Sequence, residues 1–160
     1  MGQYYIIVNL DKKEYIHPHK FGDGLKLLEF GCSANGTMTA LAILLADGNG
    51  RGGGDLFDEN GNSPAIVGRW AGDRIVIAGD YADGMKFLEG VSKEELQKIA
   101  NKFVYEEYRK AENVNLYHYA KEKFKDISEK VIEAMKCDGY IRETLKKVGV
   151  LKPDGMIRRR

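Results

Sequence analysis

Apolar and polar positions along this chain of 160 residues fall into two textures, short alternating or apolar runs first and helical periods later. Tyr4 to Leu10 is rich in aromatic and β-branched residues, which predicts a buried or half-buried strand. Asp11-Lys12-Lys13 predicts a turn and Glu14 to His17 a short hairpin partner, which Pro18 ends or confines to an edge. After a turn at Phe21 to Gly24, Leu25 to Phe30 reads as a further strand. Met38 to Ala46 is apolar, with Ser33, Asn35 and Thr37 before it as capping side chains, and predicts a mostly buried helix. Ala65 to Trp70 and Arg74 to Ala78 predict two strands joined by a tight turn at Ala71-Gly72-Asp73.

Beyond Gly90 the period lengthens. Ser92-Lys-Glu-Glu95 has the capping-box spacing, in which the Ser oxygen and the Glu carboxylate each satisfy an orphan amide. Leu96, Ile99, Ala100, Phe103, Val104, Tyr108 and Ala111 follow at helical spacing. A break at Asn113 to Asn115 leads to a second amphipathic pattern, from Leu116 to Met135, closed by Asp138-Gly139 as a C-terminal cap. Tyr140 to Val148 predicts a third helix ending at Gly149, and Arg158 to Arg160 a frayed tail. Strands first and helices later predict an α+β fold: a mainly antiparallel sheet from the N-terminal, Gly-rich region, with the C-terminal helices packed on one face. The length suits a single domain over 1–160, made of a strand-rich part (1–90), a helical part (91–150) and a tail (151–160).

Charge refines this picture. Residues 1–90 hold eight lysines and arginines against twelve acids, and residues 91–160 hold seventeen against twelve. The halves are therefore oppositely charged, which suits two attracting layers at least as well as nucleic acid. Nucleic acid is kept only as a remote partner class, and self-association stays open. Cys32 and Cys137 belong to no CxxC pattern and read as reduced thiols. The first residues lack a basic region and a cleavage site, and the longest apolar run, Ala40 to Ala46, is too short to span a membrane. The expectation is a cytoplasmic protein with no membrane partner.

Candidate chemistry concentrates where glycine does: fifteen of the nineteen glycines lie between Gly22 and Gly90. Asp47, Asn49, Gly52, Asp55 and Asp58 fit an EF-hand spacing. Arg51 at a ligand position, Asp58 in place of the long Glu, and no exiting helix argue against calcium there. As an anion cradle, Gly50, Arg51, Gly52, Gly53 and Gly54 would offer converging backbone N–H groups and one guanidinium. The plainer reading is a flexible connector. His17-Pro-His19 places two imidazoles on one side of an extended segment, for acid–base work or a metal, but no spacing selects a third ligand and no metal is assigned. Trp70, flanked by Arg69 and followed by Asp73 and Arg74, would suit a base or sugar, or else anchor a hairpin ended by ion pairs.

The opening Met-Gly-Gln-Tyr-Tyr, the segment Pro18-His-Lys-Phe-Gly-Asp-Gly-Leu-Lys-Leu-Leu-Glu-Phe30 and Gly68-Arg-Trp-Ala-Gly-Asp-Arg74 together resemble a group of small uncharacterised microbial and viral proteins. The resemblance covers about the first eighty residues and implies no activity, cofactor or site residue. Three functions remain as expectations. In the leading one, Gly50 to Gly54 and Arg51 bind a small anionic, nucleotide-like ligand, with Trp70, Arg69 and Arg74 around it. In the second, a hydrolase of a phosphoester or glycosidic bond uses His17 or His19 as acid–base and Asp73 or Asp80 as orienting carboxylate. In the third, a protein-interaction module uses the basic helices, with Tyr105, Tyr108, Tyr117 and Tyr119 as its patch. The sequence names no cofactor.

Overall fold

Side-chain alternation along the first strand divides the molecule into two cores. In the computed structural model, which describes residues 2–83 and 85–159, β1 (Tyr5–Asn9) sends Ile7 to one face and Ile6 and Val8 to the other. It pairs antiparallel with β2 (Glu14–Ile16) and with β3 (Ile75–Gly79), in registers that set Ile7 opposite both Ile16 and Ile77. A two-residue strand, β4 (Lys125–Asp126), adds in parallel to β2, giving the order β3-β1-β2-β4.

Among the described residues six α-helices cover this sheet: α1 (Leu27–Gly31), α2 (Thr37–Leu45), α3 (Lys93–Ala100), α4 (Leu116–Lys123), α5 (Ser128–Met135) and α6 (Gly139–Lys147). The fold is thus α+β, with strands concentrated in the N-terminal half and helices in the C-terminal half. The helices lie on both faces rather than one. Phe30, Leu44, Val131, Met135 and Leu145, from α1, α2, α5 and α6, join Ile7 and Trp70 in the first core. Leu96, Ile99, Leu116 and Ala120, from α3 and α4, join Ile6 and Val8 in the second. A strand as apolar as Tyr-Ile-Ile-Val needs cover on both sides, and this strand lies inside the sheet.

Several expected strands and helices take other forms. Leu25 to Phe30 runs into α1 instead of forming a strand, the helix start closed by the Glu29 carboxylate accepting from the Lys26 N–H at 3.0 Å. Residues 65–70 form consecutive turns, so there is no hairpin around Gly72. The N–H groups of Gly68 and Trp70 donate to the carbonyls of Ile43 and Leu44 at 2.9 and 2.8 Å. These are orphan acceptors at the end of α2, which the turns cap. Glycine is required at 68: its φ is +79°, and a Cβ there would lie 2.6 Å from the Ala46 carbonyl oxygen. The long second helical pattern is two helices, because the Lys125 and Ile127 N–H groups leave the helix to pair with the Lys13 and Tyr15 carbonyls of β2's strand line. Asp138 is a cap, but an N-cap: its carboxylate accepts from the Ile141 N–H and opens α6. The C-terminal segment is tied down. Leu151 bridges Ile157, and Arg159 pairs with Glu129 at 3.2 Å; Arg160 lies outside the described residues.

Candidate functional site

A concavity of about 850 Å³ opens where the turn after β3 meets the start of α4. Asn115 builds that junction. Almost wholly buried, it donates from Nδ2 to the carbonyls of Gly79, Asp80 and Ala82 at 3.2, 2.8 and 3.1 Å. Its Oδ1 accepts from the His118 N–H at 3.2 Å, while its own N–H donates to His118 Nδ1 at 3.3 Å. This is a capping box with histidine where glutamate is usual. It fixes the imidazole tautomer, with Nδ1 as acceptor.

The wall is the segment between α3 and α4, expected to continue α3 as a helix. Instead the chain makes short 3₁₀ turns at Glu106–Tyr108 and Ala111–Asn113. Side chains take over the bonding that a helix would supply. Arg109 Nε donates to the Phe103 carbonyl (2.8 Å), Gln97 Nε2 to the Arg109 carbonyl (2.9 Å), and Asn113 Nδ2 to the Tyr108 carbonyl (3.0 Å). The result turns aromatic groups toward the opening. Phe103 stacks at a tilt on His118, with centroids 4.7 Å apart. Tyr105 and Tyr108 meet edge to face at 6.1 Å and 87°. They remain 64% and 55% exposed, and Tyr81 across the groove is 67% exposed. Asp80, Asp83 and Glu112 lie among them, and the one lysine, Lys102, is paired with Glu122. Burial lowers the His118 pKa, with Lys121 adding and Asp80 opposing, so the ring is neutral at pH 7. The groove is therefore aromatic and acidic.

The residues singled out by sequence are dispersed. Trp70 is fully buried in the first core and its Nε1 donates to Glu14 at 2.9 Å, so its ring offers no face to a ligand. Arg69 grips the same Glu14 carboxylate with Nε and Nη2 (2.9 and 2.6 Å), and Arg74 grips Asp11. Both guanidiniums are committed to ion pairs. In the glycine loop, the Gly50 and Arg51 N–H groups do converge on a carboxylate, at 3.0 and 2.8 Å, but it is that of Asp55. These amides, Arg51 foremost, hold Asp55 below the usual carboxylate range. Gly52, Gly53 and Gly54 are exposed beside it.

The two histidines at 17 and 19 sit together, rings 5.6 Å apart, but not with Asp73. The register places His17 beyond Ile16, on the level of Ile6, while Asp73 precedes Ile75, the partner of Asn9. Three or more residues of strand separate them, about 10 Å. Asp73 is held by Asn9 and Lys12 instead. Asp80 caps β1 by accepting from the Tyr4 N–H and lies on the groove, where the histidine near it is His118. Of the four tyrosines expected to make a patch, Tyr105 and Tyr108 are open, Tyr117 is buried and Tyr119 half-buried. Among the described residues no three His, Cys, Asp or Glu side chains gather as metal ligands, and no helix is long and apolar enough to cross a membrane. Sequence reading places Phe103 in a helical period, Asn115 in a break and His118 on a helix as a structural residue, and gives none of them a site role; the Asn-x-x-His spacing at a helix start was the signal available for Asn115 and His118. No family model, curated protein or solved structure matches the chain.

Proposed function

We propose that the chain is a binding module whose groove takes a cationic segment of a partner protein, in which lysine or arginine is flanked by apolar residues. The Tyr105–Tyr108 pair carries this reading. Two rings at right angles, each more than half exposed, present π faces next to Asp80, Asp83 and Glu112. Ammonium and guanidinium groups are attracted both to such faces and to carboxylates, and exposed tyrosines are characteristic interface anchors. A small anion suits this groove poorly on charge, and at the glycine loop it would first have to displace Asp55. Free, exposed thiols at Cys32 and Cys137 accord with a reducing compartment such as the cytoplasm.

The test is fluorescence anisotropy with a labelled peptide of alternating lysine and leucine, beside its glutamate–leucine counterpart. The cationic peptide binds, more weakly as salt rises, and Tyr105→Ala and Tyr108→Ala each weaken it about tenfold, the size of a 1.4 kcal/mol contact. Equal binding of the acidic peptide, or indifference to both substitutions, overturns the proposal.

A further inference from the structure

On the face of the sheet opposite the groove, a second concavity of about 340 Å³ is built from three separate stretches of chain. His19 and Lys20 come from the 3₁₀ turn Pro18–Phe21, Glu129 and Ile132 from α5, and Val150 and Ile157 to Arg159 from the C-terminal loop. The stretches are held in place by packing and backbone bonds. Gly22, at φ +83°, brings the first turn against the end of α6, where a Cβ would lie 2.8 Å from Val148 Cγ2. The C-terminal loop folds back on itself through Lys152 N–H to the Met156 carbonyl (2.8 Å) and Arg158 N–H to the Val150 carbonyl (2.9 Å). Those bonds fix the backbone from which Arg158 and Arg159 reach over the cavity.

Its chemistry differs from that of the groove. The floor is apolar, from Ile132, Val150 and Ile157, all part of or packed against the first core. Among the described residues the rim carries Lys20, Arg158 and Arg159 against one lining carboxylate, Glu129, which pairs with Arg159; Lys20 leans on Asp126 beside the pocket at 2.8 Å. Cationic residues thus outnumber acidic ones around an apolar floor, in a volume at the small end for ligand sites. We propose that this pocket binds a phosphate monoester carrying a compact apolar or aromatic group. The phosphate is gripped chiefly by the Arg158 fork, Lys20 adding a donor left over from its bond to Asp126, and the apolar group rests on Ile132, Val150 and Ile157.

Phenyl phosphate is the probe, titrated into the full chain at about 0.05 M salt, where screening is weak, and followed by amide shifts in two-dimensional NMR. Saturable binding is expected, with shifts at Lys20, Gly22, Gly149 and Arg158, and with inorganic phosphate weaker because it lacks the group that covers the floor. Arg158→Gln and Lys20→Gln, both at exposed positions, each weaken phenyl phosphate about fivefold, as befits one charged contact. Lys98→Gln, which removes an exposed charge from α3 on the other face, leaves affinity unchanged. Failure to saturate below about 10 mM, equal loss in Lys98→Gln and Arg158→Gln, or benzoate binding as well as phenyl phosphate overturns the assignment.

Discussion

Glu14 shows how one residue organises the first core. It is 5% exposed, yet it is ionised and serves two donors, the Arg69 guanidinium and the Trp70 indole. Burial alone would raise its pKa; the hydrogen bonds from Arg69 and Trp70 overrule it and hold the carboxyl below its ordinary 4.5. A carboxyl with a depressed folded pKa contributes stability at pH above its unfolded value, and that contribution is lost as pH falls through the folded one. Glu14→Ala strands the indole N–H inside the core and frees a half-covered cation. The expected loss is about 3 kcal/mol in urea unfolding at pH 7. Arg69→Ala, which leaves the indole bond intact at a more open position, loses only about 1 kcal/mol. A Glu14→Ala loss no larger than that of Arg69→Ala would show that the buried bond contributes nothing. Nothing local in Glu-Tyr-Ile marks this role, because both donors arrive from more than fifty residues away.

At the scale of elements, the same distance explains what was legible in the sequence. β1, β2, β3, α2, α6 and the start of α3 were readable, since period, turn residues and the Ser92 cap are local signals. The split between α4 and α5 was not, because it depends on a free edge of β2 that draws Lys125 and Ile127 into pairing. The turns at 65–70 were not either, because their donors answer the last carbonyls of α2. For the site, Tyr105 and Tyr108 were visible as residue types, but their exposure follows from Arg109, Gln97 and Asn113 replacing helical bonds. The cap of α2 is a further case. Of the side chains expected there, none takes that role; Gly36 is the N-cap residue and Asp23, fourteen positions earlier, accepts from the Thr37 N–H and hydroxyl at 2.7 and 2.6 Å. Asp23→Ala therefore destabilises the protein by about 1 kcal/mol, and Asp23→Asn, which keeps an acceptor, by less. Urea unfolding with equal midpoints for Asp23→Ala and the parent would remove the cap from the account.

For the whole molecule, the opposite charges of the two chain halves do not hold the layers together. Of the ten ion pairs among the described residues, only Lys20–Asp126 joins residues 1–90 to residues 91–160. Cohesion across the sheet rests on its two apolar cores, and titration enters where polar groups are caught at their margins. His17 is such a group. Its backbone N–H donates to Ser128 Oγ at 2.8 Å, and the buried Nδ1 of its ring has no partner among the described residues. Burial first, then Lys121 of α4 and the nearby His19 and Lys20, push its pKa down to about 4, with Asp126 of β4 opposing. The folded state therefore favours the neutral ring, while the unfolded chain takes up a proton near pH 6.5. Stability is full above pH 6.5 and declines as pH falls toward 4, because protons bind the unfolded chain first. Full linkage over that interval is about 3 kcal/mol, and screening at a partly open ring reduces it to about 2. His118, also shifted down by burial, adds in the same direction, so His17→Gln flattens the decline without abolishing it. Urea unfolding at intervals between pH 7 and pH 4.5 measures the slope. A parent protein equally stable across that range, or a His17→Gln profile as steep as the parent's, would place the acid sensitivity elsewhere in the molecule.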